Sequence, residues 1–239
     1  MKSFGLVENR ILECDYLLNR LIEVEQKLNI FQMRCYLNSF ITMSRGLTFV
    51  LKSSLNGLPK LEEWFQIQME LLSENEFSRS FVLARNEVEK VGIPHLNSGQ
   101  FIDGKSVTYI DLPITNSGKN RIRVKTIDAC CSYFKTLLEV IHNSYVDYGV
   151  YIDPEQYYSL KGLAFHNLTI EDVEEEHGIP RGYTEYGRNE NNLLIKLTDE
   201  ERLDMLWRHI PMNLEIAQFL KKTTGRMKNS TVNTDWLDA

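Results

Sequence analysis

Apolar residues recur every three or four positions through the first 92 residues, and this rhythm predicts four helices. The first spans about 6–28, with Val7, Ile11, Cys14, Leu18, Leu21 and Leu28 on one stripe and Glu25 as its one polar intruder. A longer helix follows over 30–55, carrying Met33, Leu37, Phe40, Ser44, Leu47 and Leu51, widened by Tyr36, Met43 and Val50. Gly46 costs about 1 kcal/mol there relative to Ala and reads as a point of close helix approach. Asn56, Gly57 and Pro59 mark a turn before a third helix over 59–73, with Leu61, Trp64, Phe65, Gln68, Leu71 and Leu72 inward. Phe77, Phe81, Ala84, Val88 and Val91 define the fourth helix, with Ser73 read as its N-cap and Glu76 as the capping-box partner. Gly92 and Pro94 end it.

The pattern then switches. Val107, Tyr109 and Leu112 predict one strand, Ile122 and Val124 another, and the TNSGKN stretch a turn, giving a β-hairpin at about 105–126. Helical rhythm returns over 126–148 with Ile127, Cys131, Phe134, Leu138, Ile141, Tyr145 and Tyr148, a fifth bundle member beside which His142 reads as a satisfied histidine. Past Gly149 the periodicity weakens. Asp153 and Pro154 open a short helix, and Thr169 caps another whose run of Glu171, Asp172, Glu174, Glu175, Glu176 and His177 reads as a solvated acidic face. An exposed loop, a short strand at LLIKL and a helix capped by Thr198 follow, the last with Leu203, Leu206, Trp207 and Ile210 inward. Pro211 precedes a final short helix, and the tail from Gly225 is polar, with Trp236 and Leu237 able to dock. The fold class expected is mainly α: an antiparallel helical bundle with its hairpin over 1–148, a smaller, mostly helical region over 149–224, and a loose tail over 225–239.

Composition narrows the function classes. The 239 residues are 43% hydrophobic and 25% charged, ordinary for a globular chain, and the net charge of −6 argues against broad coating of nucleic acid. Cys14, Cys35, Cys130 and Cys131 all fall in apolar helical patterns and form no C-x-x-C, so they read as buried free thiols of a reducing compartment. No leader pattern and no long apolar run is seen, so a cytoplasmic, non-membrane protein is expected. Phosphate-loop, dinucleotide and nucleophile-elbow motifs are absent, as are metal-ligand spacings, so neither cofactor nor metal is expected.

Candidate chemistry rests on arginines. Arg85 and Asn86 flank the apolar stripe of the fourth helix, and a guanidinium there offers forked donors to a carboxylate or phosphate. Arg45 lies on a mostly apolar helix and needs a partner. Arg121, Arg123 and Lys125 alternate along the second hairpin arm, after Lys119, and so share one face, a basic stripe able to contact phosphate.

Arg followed by Asn near the end of a late helix in an N-terminal bundle resembles the HEPN family (higher eukaryotes and prokaryotes nucleotide-binding). The segment SFITMSRGLTFVLK around Arg45 also resembles uncharacterised bacterial HEPN-like proteins. The resemblance covers about the first 95 residues and the helix at 126–148. It implies a helical bundle that forms homodimers, in whose ribonuclease members Arg and His from two protomers cleave RNA without metal. The family's His, four to six residues after the Arg-Asn pair, is missing: Lys90, Val91 and Gly92 stand there, and His95 lies past Pro94. A near-neutral His can exchange a proton with a ribose hydroxyl, whereas a solvated Lys stays charged. The expectation is therefore a non-catalytic module binding RNA, a nucleotide or a protein partner in bacterial or phage defence or stress. One alternative is a metal-independent ribonuclease in which Lys90 replaces the His or His95 swings in. Another is a structural or interaction module that makes contact through the bundle or the loop around Tyr183 and Tyr186.

Overall fold

The computed structural model describes residues 1–92, 95–114, 120–210 and 214–225. The described residues are mainly helical, and two compact units emerge from their packing: Phe4–Ile141, and Met1–Ser3 with the residues from His142 onward.

In the first unit, α1 (Gly5–Gln26) and α2 (Ile30–Leu55) lie against each other. Both predicted stripes are buried, with Val24 taking the place expected of Leu28, which instead turns into the left-handed region at φ 47° beyond the helix end. Asn29 caps α2 by accepting from the Gln32 N–H. α3 (Leu61–Glu74) contains Ser73, so Ser73 does not cap the next helix; Asn75 holds that turn, accepting from the Phe77 N–H at 2.9 Å and donating to Ser132 and Thr136. α4 (Ser78–Val91) buries Phe81 and Ala84 but leaves Val91 67% exposed, and Gly92 ends it at φ 72°. Among the described residues nothing lies within 4 Å of where a Gly46 side chain would sit, so the expected close helix approach is not seen there.

α5 (Thr126–Ile152) is longer than the periodicity predicts and runs on past position 148. Phe134, Leu138, Ile141, Tyr145 and Tyr148 of the predicted stripe are buried, but near its start Cys130 is buried and Cys131 exposed; Cys35 is exposed as well, so two of the four free thiols are not buried. Tyr133 of α5 stacks on Phe81 with ring centroids 4.5 Å apart, and Phe40 meets Phe81 and Phe134 edge-on.

Where a two-stranded hairpin was expected, three antiparallel strands form in the order β1 (Leu96–Ile102), β2 (Lys105–Pro113), β3 (Arg121–Lys125). Asp103 and Gly104, at φ 50° and 75°, supply the two positive-φ positions of a tight turn between β1 and β2. Glu25, the polar intruder of α1, anchors this sheet: its carboxylate accepts the Thr108 N–H at 2.8 Å and the Thr108 hydroxyl at 2.6 Å. The expected turn around 115–119, together with Pro94, Pro211, Trp236 and Leu237, lies outside the described residues.

The second unit holds the end of α5, then α6 (Pro154–Tyr157), α7 (Leu160–His166), α8 (Ile170–Glu176), α9 (Asp199–Leu206) and α10 (Leu214–Thr224). Asp153, Ser159, Thr169 and Thr198 cap their helices, the last two with reciprocal capping boxes. Tyr157, Tyr158, Leu163, Ile170, Val173, Leu203, Leu206 and Ile210 form its core. The expected exposed loop before LLIKL is partly ordered: a 3₁₀ turn (Tyr183–Glu185) leads into β4 (Tyr186–Arg188), which pairs with β5 (Leu194–Lys196). Among the described residues no helix is long and apolar enough to cross a membrane.

Glu25→Ala leaves the fully buried Thr108 N–H and hydroxyl without their acceptor and is expected to cost about 1–3 kcal/mol in urea denaturation at neutral pH.

Candidate functional site

The polar cluster on the first unit is assembled by α4, the residue preceding β1, and strands β2 and β3. Each contributes through local geometry. Helical spacing puts Glu87 one turn before Val91 on α4, and strand alternation sets Arg121 and Arg123 on a common face of β3. Asp111 stands directly across from Arg123 in the register of β2 and β3.

His95 is the centre of the cluster. Its ring is buried; Nε2 lies 3.1 Å from the Ala84 carbonyl oxygen and 3.6 Å from a Glu87 carboxylate oxygen, and Nδ1 lies 3.1 Å from Arg121 Nη1. The Ala84 oxygen can only accept and the guanidinium can only donate. His95 is therefore neutral, with its proton on Nε2. Burial pushes its pKa down, and the Arg121 charge adds to that, against the opposing pull of the Ala84 carbonyl and Glu87.

Both terminal nitrogens of Arg121 are engaged: Nη2 pairs with Glu87 at 2.9 Å, while Nη1 reaches His95 and donates to the Asp111 carbonyl at 3.1 Å. Arg123 pairs with the Asp111 carboxylate at 3.0 Å, and Asn97 donates to the other oxygen of that carboxylate. Burial would raise the Asp111 carboxyl, but the Arg123 and Asn97 hydrogen bonds outweigh it and hold it below the usual carboxylate range. The predicted basic stripe is thus largely neutralised by acids that the sequence reading did not connect to it. Lys125 remains exposed, and Lys119 is outside the described residues.

The other predicted residues fall elsewhere. Arg85 pairs with Glu89 at 2.6 Å one turn along α4 and makes a long contact of 3.4 Å to the Asn86 side-chain oxygen. Lys90 is exposed. Arg45 donates to the Thr48 hydroxyl at 2.5 Å and lies over the Phe49 ring at 4.6 Å, so its partners and those of Arg85 share no residue. None of the six predicted candidates lines either of two cavities described on this unit. One, of about 410 Å³, lies along Leu12, Glu13, Tyr16, Leu17 and Met43; the other, of about 390 Å³, is edged by Ile22, Phe101 and Lys105.

Glu87 and Asp111 were missed by sequence reasoning, and His95 was weighed only as a base that swings in for the alternative ribonuclease, not as the buried centre of a polar cluster. Asp111 carried a signal, an acid in an apolar strand opposite a basic one. The burial of His95 carried none, because nothing local to it shows that the chain folds back onto α4.

A second polar network lies within the other unit. Glu174, expected on a solvated face, is buried; its carboxylate accepts the Thr184 N–H at 2.8 Å, the Thr184 hydroxyl at 2.5 Å and the Gly182 N–H. Arg202 bridges from α9 to Glu171 at 2.5 Å and to the Thr184 hydroxyl at 3.2 Å. Burial would raise the Glu174 carboxyl, but hydrogen bonds from Thr184 and Gly182 hold it low. This arrangement satisfies every oxygen it buries and holds a turn in place; among the described residues no group of three or more His, Cys, Asp or Glu is set to hold a metal ion.

No family model matches the chain, and neither a curated protein nor a solved structure is significantly similar to it.

Because His95 holds fewer protons when folded, its contribution to stability is fully present above the unfolded histidine value of about 6.5 and is lost as pH falls below it. The carboxylates held low, Asp111, Glu171, Asp172 and Glu174, lose theirs only nearer pH 4 and below. Thermal melts are expected to show a loss of stability between neutral and mildly acidic pH that is smaller in His95→Asn. In the same assay, Glu174→Ala is expected to lower the melting temperature more than Arg181→Ala, since the first strands buried donors and the second breaks an exposed pair.

Proposed function

We propose that the chain is a HEPN-like, non-catalytic binding module whose partner is a protein rather than RNA or a nucleotide. The observation that carries this reading is the pairing of the arginines: Arg85 with Glu89, Arg121 with Glu87 and Arg123 with Asp111. A phosphate arriving at any of them must displace a carboxylate already within 3.0 Å, on a chain of net charge −6. The context proposed from the HEPN resemblance, bacterial or phage defence or stress, belongs to the same reading, as does a homodimeric, cytoplasmic state.

The rival reading is a metal-independent ribonuclease served by His95. His95 does lie against α4, the helix that carries Arg85, and beside a guanidinium. Yet its ring is buried and both nitrogens are engaged, so it has no free lone pair for a ribose hydroxyl. Lys90, the other substitute, is a poor base when exposed.

Two assays decide between these readings. Purified protein with EDTA is expected to leave varied RNAs intact, both as wild type and as Arg85→Ala. Fluorescently labelled single-stranded RNA is expected to show no saturable binding at physiological salt. Cleavage lost in Arg85→Ala would restore the ribonuclease, and tight RNA binding that weakens with salt would restore the nucleic-acid partner.

A further inference from the structure

We propose that the outer edge of β1 pairs with β1 of a second copy of this chain, antiparallel and about a twofold axis through Gln100. The proposal does not depend on the functional reading above.

The argument begins with hydrogen-bond parity. Asp103 and Gly104 make a two-residue turn, so its flanking pair, Ile102 and Lys105, exchanges backbone bonds, as do Gln100 with Val107 and Ser98 with Tyr109. Gly99 and Phe101 fall between these pairs, and their N–H and C=O groups point to the open side. The same parity turns the Thr108 N–H away from β1, and Glu25 accepts it at 2.8 Å, which checks the assignment independently. Among the described residues nothing bonds the outward groups of Gly99 and Phe101.

Natural edge strands are blunted by charge, proline or bulges. Leu96–Ile102 contains no charged residue and no proline, and its one bulge, between Leu96 and Ser98, leaves the stretch from Ser98 to Ile102 regular. The occupant of such an edge must be an extended strand, and the side chains select a second copy. With the axis at Gln100, Gly99 of each copy stands opposite Phe101 of the other, and the pairs exchange four main-chain bonds. Phe101 is 70% exposed, while Gly99 has no side chain and a Cβ there would lie 2.9 Å from Leu28 and 3.6 Å from Ile30. Leu28, Ile30 and the Thr108 methyl already fill the space that a side chain at Gly99 would take, so the ring of each copy packs against the apolar groups bordering Gly99 of the other. No charge meets its like across this edge, and the complementarity is reciprocal, as a twofold interface requires.

Sedimentation at increasing concentration tests this. Wild type is expected to dimerise. Gln100→Lys sets two ammonium groups face to face on the axis without touching the β1–β2 ladder and is expected to raise the dissociation constant about tenfold or more, with an unchanged circular dichroism spectrum. In a Cys35→Ser, Cys131→Ser background, Gln100→Cys is expected to form a disulfide-linked dimer on mild oxidation, because a non-hydrogen-bonded pair places its Cα atoms about 4.5 Å apart, within disulfide range. Ser98→Cys, displaced from the axis, is expected not to cross-link. A monomer at every concentration, or a dimer that Gln100→Lys leaves intact, overturns the proposal.

Discussion

One guanidinium fixes how the sheet meets helix α4. Arg121 reaches Glu87 on α4, the ring of His95 and the main chain of β2 at the same time. An imidazole buried without partners costs several kcal/mol, about 2–7 by transfer measures, so His95 can sit against Ala84 only while a donor meets its other nitrogen. Strand position, helix position and the protonation state of the histidine are thus one constraint. The planar, permanently charged fork of an arginine suits it better than a lysine, which would bring a compact charge and no fixed geometry.

That constraint decides what the surface can do. A basic stripe read from alternation alone is a row of free cations; here two of its members are already spent. Arg121 is half-buried between a carboxylate and an imidazole, and Arg123 lies across from Asp111. Exposed pairs of this kind add little to stability, about 0–1 kcal/mol, yet they remove the excess positive potential on which phosphate attraction depends. The same holds for Arg85, whose carboxylate partner Glu89 lies one helical turn away. In this cluster the charge of Arg121 and Arg123 joins elements, while that of Arg85 is met within its own helix.

How much of this was legible depended on whether a residue's partner was near in sequence. α1 and α2 bury one clear stripe each, and the 3.6-residue period read them almost residue for residue. On α5 the period placed Phe134, Leu138, Ile141, Tyr145 and Tyr148 inward as observed, but the helix is apolar on more than one face, and near its start Cys131 was read inward where Cys130 lies. Ser73 and Asn75 are both capping residues in type, and only the extra turn of α3 decides between them. Glu25 was visible as an anomaly, but Thr108, which explains it, is 83 residues away. Glu174 was hidden among five other polar residues, and nothing in an acidic run marks the one whose oxygens meet a distant turn.

β1 was illegible for a reason that bears on its role. A strand buried on one face announces itself by alternation, but from Asn97 to Ile102 β1 is exposed or half-buried throughout, so burial imposes no period on NSGQFI. Its place is set instead by the Asp103–Gly104 turn and by the glycine that lets it pass Leu28. A sequence free of core demands is also free to carry lysines, the cheapest protection an edge can have, and this one carries none. Packing against Leu28 accounts for the glycine, but an uncharged, regular edge beside an exposed aromatic ring follows neither from packing within the chain nor from solubility, and pairing between chains accounts for it.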